Sequence, residues 1–469
     1  MKSSDIHFFL SLTVIGVSFA AYGQQESARV CAPCIRAHME FLASDALRGR
    51  GSATHDELVA ATYIASELRA YRIDPAGDAG GYVERAILIR RELTGPPRMT
   101  FKVPSGETII WRFGKDFLAP SLAQEDFSGR LQKIDIDKEI PQARSDTIAL
   151  VMGSNPKNVR RVASSLGRSG ATGVIVVSEA NPAQFEENAR NLPKLAIQLA
   201  GQMRSDLQAE FNFLEISAEA AKVLGDLPED TMLHFEAPSK TEETHTWNAV
   251  GILHGTDPEL AQEAVLLSAH LDHLGIGKSV NGDEIYNGAD DDASGTTAVL
   301  ELARMLGQGR KPRRTVIFAL FGSEEIGGLG SMYFREHPPV PARELAVGLE
   351  FEMLGRPDAA IPDSDLWLTG WERTNLGPAL ANHGAHLVSD PHPEQNFFAR
   401  SDNFVLAKKG IVAQTISSYG LHGDYHQPSD DLAHIDFQHL DAAIGSLLAP
   451  IKWLVNSDFV PRWNEGGRP

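Results

Sequence analysis

Short, almost unbroken apolar runs alternate with helical patterns through the second half of the chain. Val265-Leu266-Leu267-Ser268-Ala269, Thr315 to Phe321, Ala346 to Phe351 and Ile411-Val412-Ala413 have this form. A run without polar alternation predicts a strand buried on both faces, and such strands separated by helices predict an α/β fold with a mostly parallel mixed sheet flanked by helices. Upstream, residues 34–71 read as helix. Thr54-His55-Asp56-Glu57 resembles a capping box, and Leu58, Ala61, Ala65 and Leu68 behind it share one face. Tyr82 to Val103 reads as strand material broken by a Gly95-Pro96-Pro97 turn.

A smaller α/β unit is expected between these parts. Thr147 to Met152, Asn158 to Leu166 and Gly173 to Val177 read as strand, helix and strand. Its boundaries are placed at 118 and 239, with Pro238-Ser239-Lys240 and the polar stretch through Thr246 as a linker. The main domain then comprises 24–117 and 240–469, with the insert at 118–239.

The first 23 residues read as a signal peptide: Lys2, an apolar run from Phe8 to Ala21, and small residues at Ala21 and Gly23. The mature chain is therefore expected to be exported, to the periplasm or beyond, with no membrane contact after signal removal. Cys31 and Cys34 are the only cysteines, and in an oxidising compartment a local disulfide is expected. Lys+Arg number 43 against 62 Asp+Glu, a formal net charge of −19. Phosphate recognition needs a basic footprint, so no nucleic-acid partner is expected.

Candidate chemistry gathers where the apolar runs end, the edge at which open parallel sheets carry their sites. His270-Leu271-Asp272-His273 follows the first run, Glu324-Glu325 the second and Glu352 the third; Asp290-Asp291-Asp292 lies in a loop and Tyr425-His426 lies near the last run. Imidazoles with carboxylates suit zinc, and the surplus of carboxylates suggests two ions sharing a bridging acid. Adjacent glutamates at a strand end point different ways, so one can bind metal while its neighbour serves as a base. His422 and His426 have zincin spacing, but Gly423-Asp424-Tyr425 between them lacks the required Glu.

The order His-x-Asp, Gly-Ala-Asp-Asp-Asp-Ala-Ser-Gly, Glu-Glu, Glu-Met and Tyr-His resembles the co-catalytic di-zinc exopeptidases, a family containing bacterial leucyl aminopeptidases, glutamate carboxypeptidase and glutaminyl cyclase. The resemblance runs from Trp247 to about Leu432, and the insert, through Gly170 to Val174, resembles a protease-associated domain. It implies a zinc-exopeptidase fold and two zinc ions per chain, one held by His270 and Glu352, the other by Glu325 and His426, with Asp291 bridging. It further implies Glu324 as general base, Tyr425 as a donor to the developing oxyanion, Asp272 orienting His270, and Asp402 in a supporting role. Glu352 departs from the family's aminopeptidases, which usually have Asp there. A peptide substrate and an aminopeptidase activity are expected. A carboxypeptidase, a cyclase, or an inactive peptide-binding protein on the same scaffold stays open.

Overall fold

The computed structural model describes residues 29–138, 141–190, 197–201, 211–362 and 364–469. The segment read as a signal peptide lies outside the described residues. Cys31 and Cys34 form a disulfide at the start of helix α1 (Ala32–Leu42).

The main sheet is built from β1 (Val83–Leu93), β2 (Ser239–Leu253), β3 (Ala264–His270), β4 (Val316–Phe321), β5 (Leu345–Phe351), β6 (Leu366–Leu368), β7 (Leu387–Ser389) and β8 (Val412–Ser417). Their spatial order is β7-β6-β8-β5-β3-β4-β2-β1. The middle four, β8-β5-β3-β4, run parallel, while β2, β1 and β6 join antiparallel. Alternation along a strand assigns each side chain to one of two cores. Val265, Leu267 and Ala269 meet α1, α2 (His55–Ala70), α3 (Gly295–Gln308) and α4 (Phe437–Leu454) on one face. Ala264 and Leu266 meet Phe334 and Leu406 on the other. Each fully buried aliphatic side chain contributes roughly 2 kcal/mol to this sandwich.

Two expectations are corrected here. The polar stretch from Ser239 to Thr246, read as a linker, is the first half of β2, which pairs antiparallel with β1 from Ser239 opposite Leu93 to Ala249 opposite Val83. Its polarity reflects exposure rather than irregularity, and Thr241, Thr244 and Thr246 supply β-branched residues suited to a half-exposed strand. The entry to the insert, placed at 118, moves to 98. An eight-stranded second sheet takes in Arg98–Lys102, Thr108–Arg112 and Phe117–Ser121 at the near end and Met232–Glu236 at the far end. Met99, Phe101 and Trp111 pack with Phe235 in a core of its own. The Gly95-Pro96-Pro97 turn that breaks the strand pattern is thus the passage between sheets. Gln198–Leu199, within the insert's span of sequence, pairs back onto the edge of β1.

Candidate metal centre

Because β3, β4, β5 and β8 are parallel, their carboxyl ends share an edge. His270 is the last residue of β3, the Glu324-Glu325 turn follows β4, Glu352 follows β5, and His426 lies in the loop beyond β8. Asp291 arrives from the loop before α3, and the Asp291–Asp292 peptide is cis.

Asp291 presents one oxygen to each of two imidazoles: Oδ1 lies 3.1 Å from His270 Nε2 and Oδ2 lies 3.2 Å from His426 Nε2. Glu325 Oε2 lies 3.1 Å from the same His426 nitrogen. His270, Asp291 and Glu352 bring ligand atoms within 4.8 Å of one another, as do His270, Glu324 and Glu325, and as do His273, Asp291 and Glu325. The structure thus gathers His270, Asp291, Glu324, Glu325, Glu352 and His426 at one place.

Electrostatics show what this cluster lacks. Burial pushes the Glu324 carboxyl well above the usual carboxylate range, only partly opposed by His270. Burial and Asp291 push Glu325 up too, but His273 and His426 outweigh them and hold it at about 2. Burial would depress His426; the close approach of the Asp291 and Glu325 carboxylates instead raises it to about 10. The acids therefore demand positive charge, and protons on the imidazoles are what the side chains alone can supply. The Nε2 atoms of His270, His273 and His426 are nevertheless buried without a hydrogen-bond partner. Nitrogens and oxygens converging in this way, in a nitrogen-oxygen donor set, fit zinc.

A scaffold of buried charge holds the ligands. Asp272 is expected from its position to orient His270, yet its Oδ1 lies 3.7 Å from His270 Nδ1, beyond a hydrogen bond. It accepts instead from the Glu324 amide at 3.0 Å and from Ser52 Oγ at 2.6 Å, fixing the turn that carries both glutamates. Asp430 accepts from the amides of Asp290 at 2.9 Å and Asp291 at 3.0 Å; burial and Asp290 push its carboxyl up to about 7. Asp292 accepts from the His270, Gly295 and Met353 amides. Ser323, Met353 and His426 stand in the left-handed region, at φ of 54°, 55° and 57°, a cost of about 1 kcal/mol or more each that this network sustains.

Glu57 is not the partner of a capping box. Thr54 Oγ does accept from the Asp56 amide at 3.2 Å at the start of α2. The Glu57 carboxylate, fully buried, accepts instead from the Ala53 and Trp247 amides and the Thr246 and Ser323 hydroxyls, tying α2 to β2 and to the turn after β4. Arg50 is buried as well and donates to the carbonyls of Leu271 (3.0 Å), Asn287 (2.7 Å) and Gly288 (2.9 Å) and to that of Leu42. It clamps the His270 and Asp291 loops from beneath. Arg50→Met strands these acceptors, and a loss on the order of 3 kcal/mol or more is expected. Urea unfolding measures it, and a loss under about 1 kcal/mol would remove Arg50 from this role.

Asp402 accepts from Ser331 Oγ, and burial pushes it up to about 7; it supports the helix after the glutamate turn rather than a ligand. Tyr425 stacks on His426, ring centroids 3.9 Å apart. Trp367, Phe397, Tyr419 and Tyr425 wall a pocket that opens onto Asp291, Glu324 and Glu352, with Trp367 and Phe397 stacked at 5.3 Å. Four residues have roles here that the sequence does not assign: His273, whose Nδ1 lies 2.7 Å from Glu325 Oε1, and Asp430, Glu57 and Arg50. Only His273, one residue past Asp272, carries a local signal.

Residues 248–449 match the model for Peptidase family M28. This part of the chain is similar to peptidase family M28. The matched segment takes in every proposed metal ligand and Glu324. Among curated relatives, the probable lipoprotein aminopeptidase LpqL of Mycobacterium tuberculosis is 32% identical over 119 residues, 25% of this chain and 22% of that protein. Leucine aminopeptidase 1 of Metarhizium robertsii is 25% identical over 209 residues, 42% of this chain and 52% of that protein. The matches thus span about a fifth to about half of these relatives' lengths. The aminopeptidase from Aneurinibacillus sp. strain AM-1 shares the fold, with a TM-score of 0.55 at 18% identity, over 92% of this chain and 96% of that one. No helix among the described residues is long and apolar enough to cross a membrane.

Proposed function

We propose that this chain is an M28-type peptidase, an exported aminopeptidase that works with two zinc ions and removes N-terminal residues from peptides. The observation that carries this reading is the set of buried, unpartnered imidazole nitrogens facing carboxylates, with one glutamate to spare. His270 and Glu352 would hold one ion and Glu325 and His426 the other, with Asp291 shared. Bound there, zinc supplies Lewis-acid polarisation of a carbonyl and acidifies water.

The chain's own groups do the rest. Glu324, held by Asp272 through its amide, takes a proton from the attacking water on a carboxylate oxygen and hands it to the nitrogen of the leaving amine. Burial raises its proton affinity, which matches a group that must accept and then release. The Tyr425 hydroxyl donates to the oxyanion as it forms. The aromatic pocket excludes water and takes the first side chain of the substrate. Asp291, Glu324, Glu325 and Glu352 line this pocket against a single arginine, Arg400, so acids predominate where a free α-amino group would sit. The insert, in this reading, is a protease-associated domain.

The assay compares amino-acid anilides bearing a free amine with the same anilides acetylated at that amine. Cleavage of the free amines alone is expected. Preferential release of C-terminal residues from N-blocked peptides would overturn the aminopeptidase assignment while leaving the metal cluster untouched.

A further inference from the structure

Two openings reach the Glu324-Glu325 turn. One is the aromatic pocket. The other is a separate cleft of about 330 Å³, which also reaches Glu324 and Glu325 and is lined further by Asp402, Arg400 and Lys408. Its charge is divided. Glu324, Glu325 and Asp402 are drawn into the protein at the end nearest the metal ligands, whereas Arg400 and Lys408 are exposed.

Both cations are supported by aromatic rings. Arg400 rests over Phe397 at 4.9 Å and Lys408 over Phe404 at 5.3 Å. Among the described residues neither has a carboxylate within ion-pair distance, although the chain carries a net charge of −19. Arg335, which lines the same cleft, is by contrast paired with Glu336 at 2.7 Å. Aromatic support leaves a guanidinium's edge and an ammonium's hydrogens free to donate. Arg400 also lines the aromatic pocket, so it stands at the partition between the two openings.

Resting on the aminopeptidase reading, the geometry assigns this cleft to the leaving part of the substrate, with Arg400 and Lys408 selecting leaving groups that carry a carboxylate. The first residue of a peptide fills the aromatic pocket, the scissile carbonyl lies at the metal cluster, and the residue released runs towards the cations. Glu324 lines both openings and so reaches the nitrogen that departs. The carboxylate nearest to such a nitrogen is the C-terminus of a dipeptide or tripeptide, which makes short peptides with free C-termini the favoured class. An acidic side chain on the released residue presents the same group from another source.

The zinc-loaded enzyme is assayed on three substrates sharing a free N-terminal leucine: Leu-Leu, Leu-Leu-amide and Leu-Glu-amide. Leu-Leu is expected to exceed Leu-Leu-amide in kcat/KM on the order of tenfold, chiefly through KM, the effect of a single charge-assisted hydrogen bond to the substrate. Added salt should shrink that ratio, because the cations are exposed. An advantage of Leu-Glu-amide over Leu-Leu-amide supports the same cations acting on a side chain. Lys408→Met, at an exposed position, should lower the Leu-Leu to Leu-Leu-amide ratio, Lys408→Glu should lower it further, and Arg400→Met combined with Lys408→Met should bring it to about one. Equal wild-type rates on all three substrates overturn the inference and leave an aminopeptidase, as does a ratio that survives in the double variant. Cleavage of N-acetyl-Leu-Leu with none of the free-amine substrates cleaved overturns the reading beneath it.

Discussion

Glu324→Gln should lower turnover by about 10²–10⁴ while leaving bound zinc at the wild-type level. The two neighbouring glutamates are set apart by their surroundings. Glu325 is gripped by His273 at 2.7 Å and His426 at 3.1 Å and is held ionised, the state of a ligand. Glu324 has no such cation in contact, and burial favours its protonated form. A glutamine keeps its size and its place on the Asp272-anchored turn but cannot accept a proton. Glu325→Gln, in contrast, removes a charged donor and should lower zinc occupancy along with activity. Elemental analysis beside steady-state kinetics separates the two. Loss of metal from both variants alike would mean that Glu324 is a ligand and that the base lies elsewhere.

The site is legible in the sequence because its residues sit at strand ends. Continuous apolar runs locate β3, β4, β5 and β8, and the acids and histidines beyond them fall on one edge by topology alone. Supporting charges are hidden for the opposite reason. Asp430 acts by accepting two backbone amides, and Arg50 by donating to four carbonyls; neither contact leaves a periodicity or a motif, since the partner is a peptide group present at every position. Asp272 illustrates a subtler gap. Its neighbourhood to His270 suggests a bond to that ring, whereas the fold brings the amide of Glu324, from beyond a different strand, within 3.0 Å. The insert boundary escapes the sequence because Met99, Phe101 and Trp111 alternate as well in a second sheet as in the first; only pairing partners distinguish them. The stretch from Ser239 to Thr246 misleads because an exposed strand and a linker have the same polarity.

Stripping the metal should abolish activity and lower the melting temperature, and the second effect should grow with pH. An ion present at 100 times its dissociation constant stabilises the fold by about 2.7 kcal/mol per site. The pH dependence follows from the acids left behind. Burial pushes Asp402 and Asp430 up to about 7, above their values in an unfolded chain. A carboxyl group with a raised folded pKa binds its proton more tightly in the folded state, so the folded apo protein is favoured at low pH and loses stability as pH climbs from about 4 to about 7. Zinc acts in the same window and in the opposite sense: its ligands bind it best once deprotonated, so occupancy and the stability it confers rise with pH. The gap in melting temperature between zinc-loaded and chelated protein should therefore be small near pH 5 and wide near pH 8. Calorimetry across that range, with zinc restored to the chelated sample, measures it. Melting that ignores chelator at pH 8 would show that the cluster holds no structural ion, and a gap that narrows with rising pH would show that the buried acids are not the groups in control.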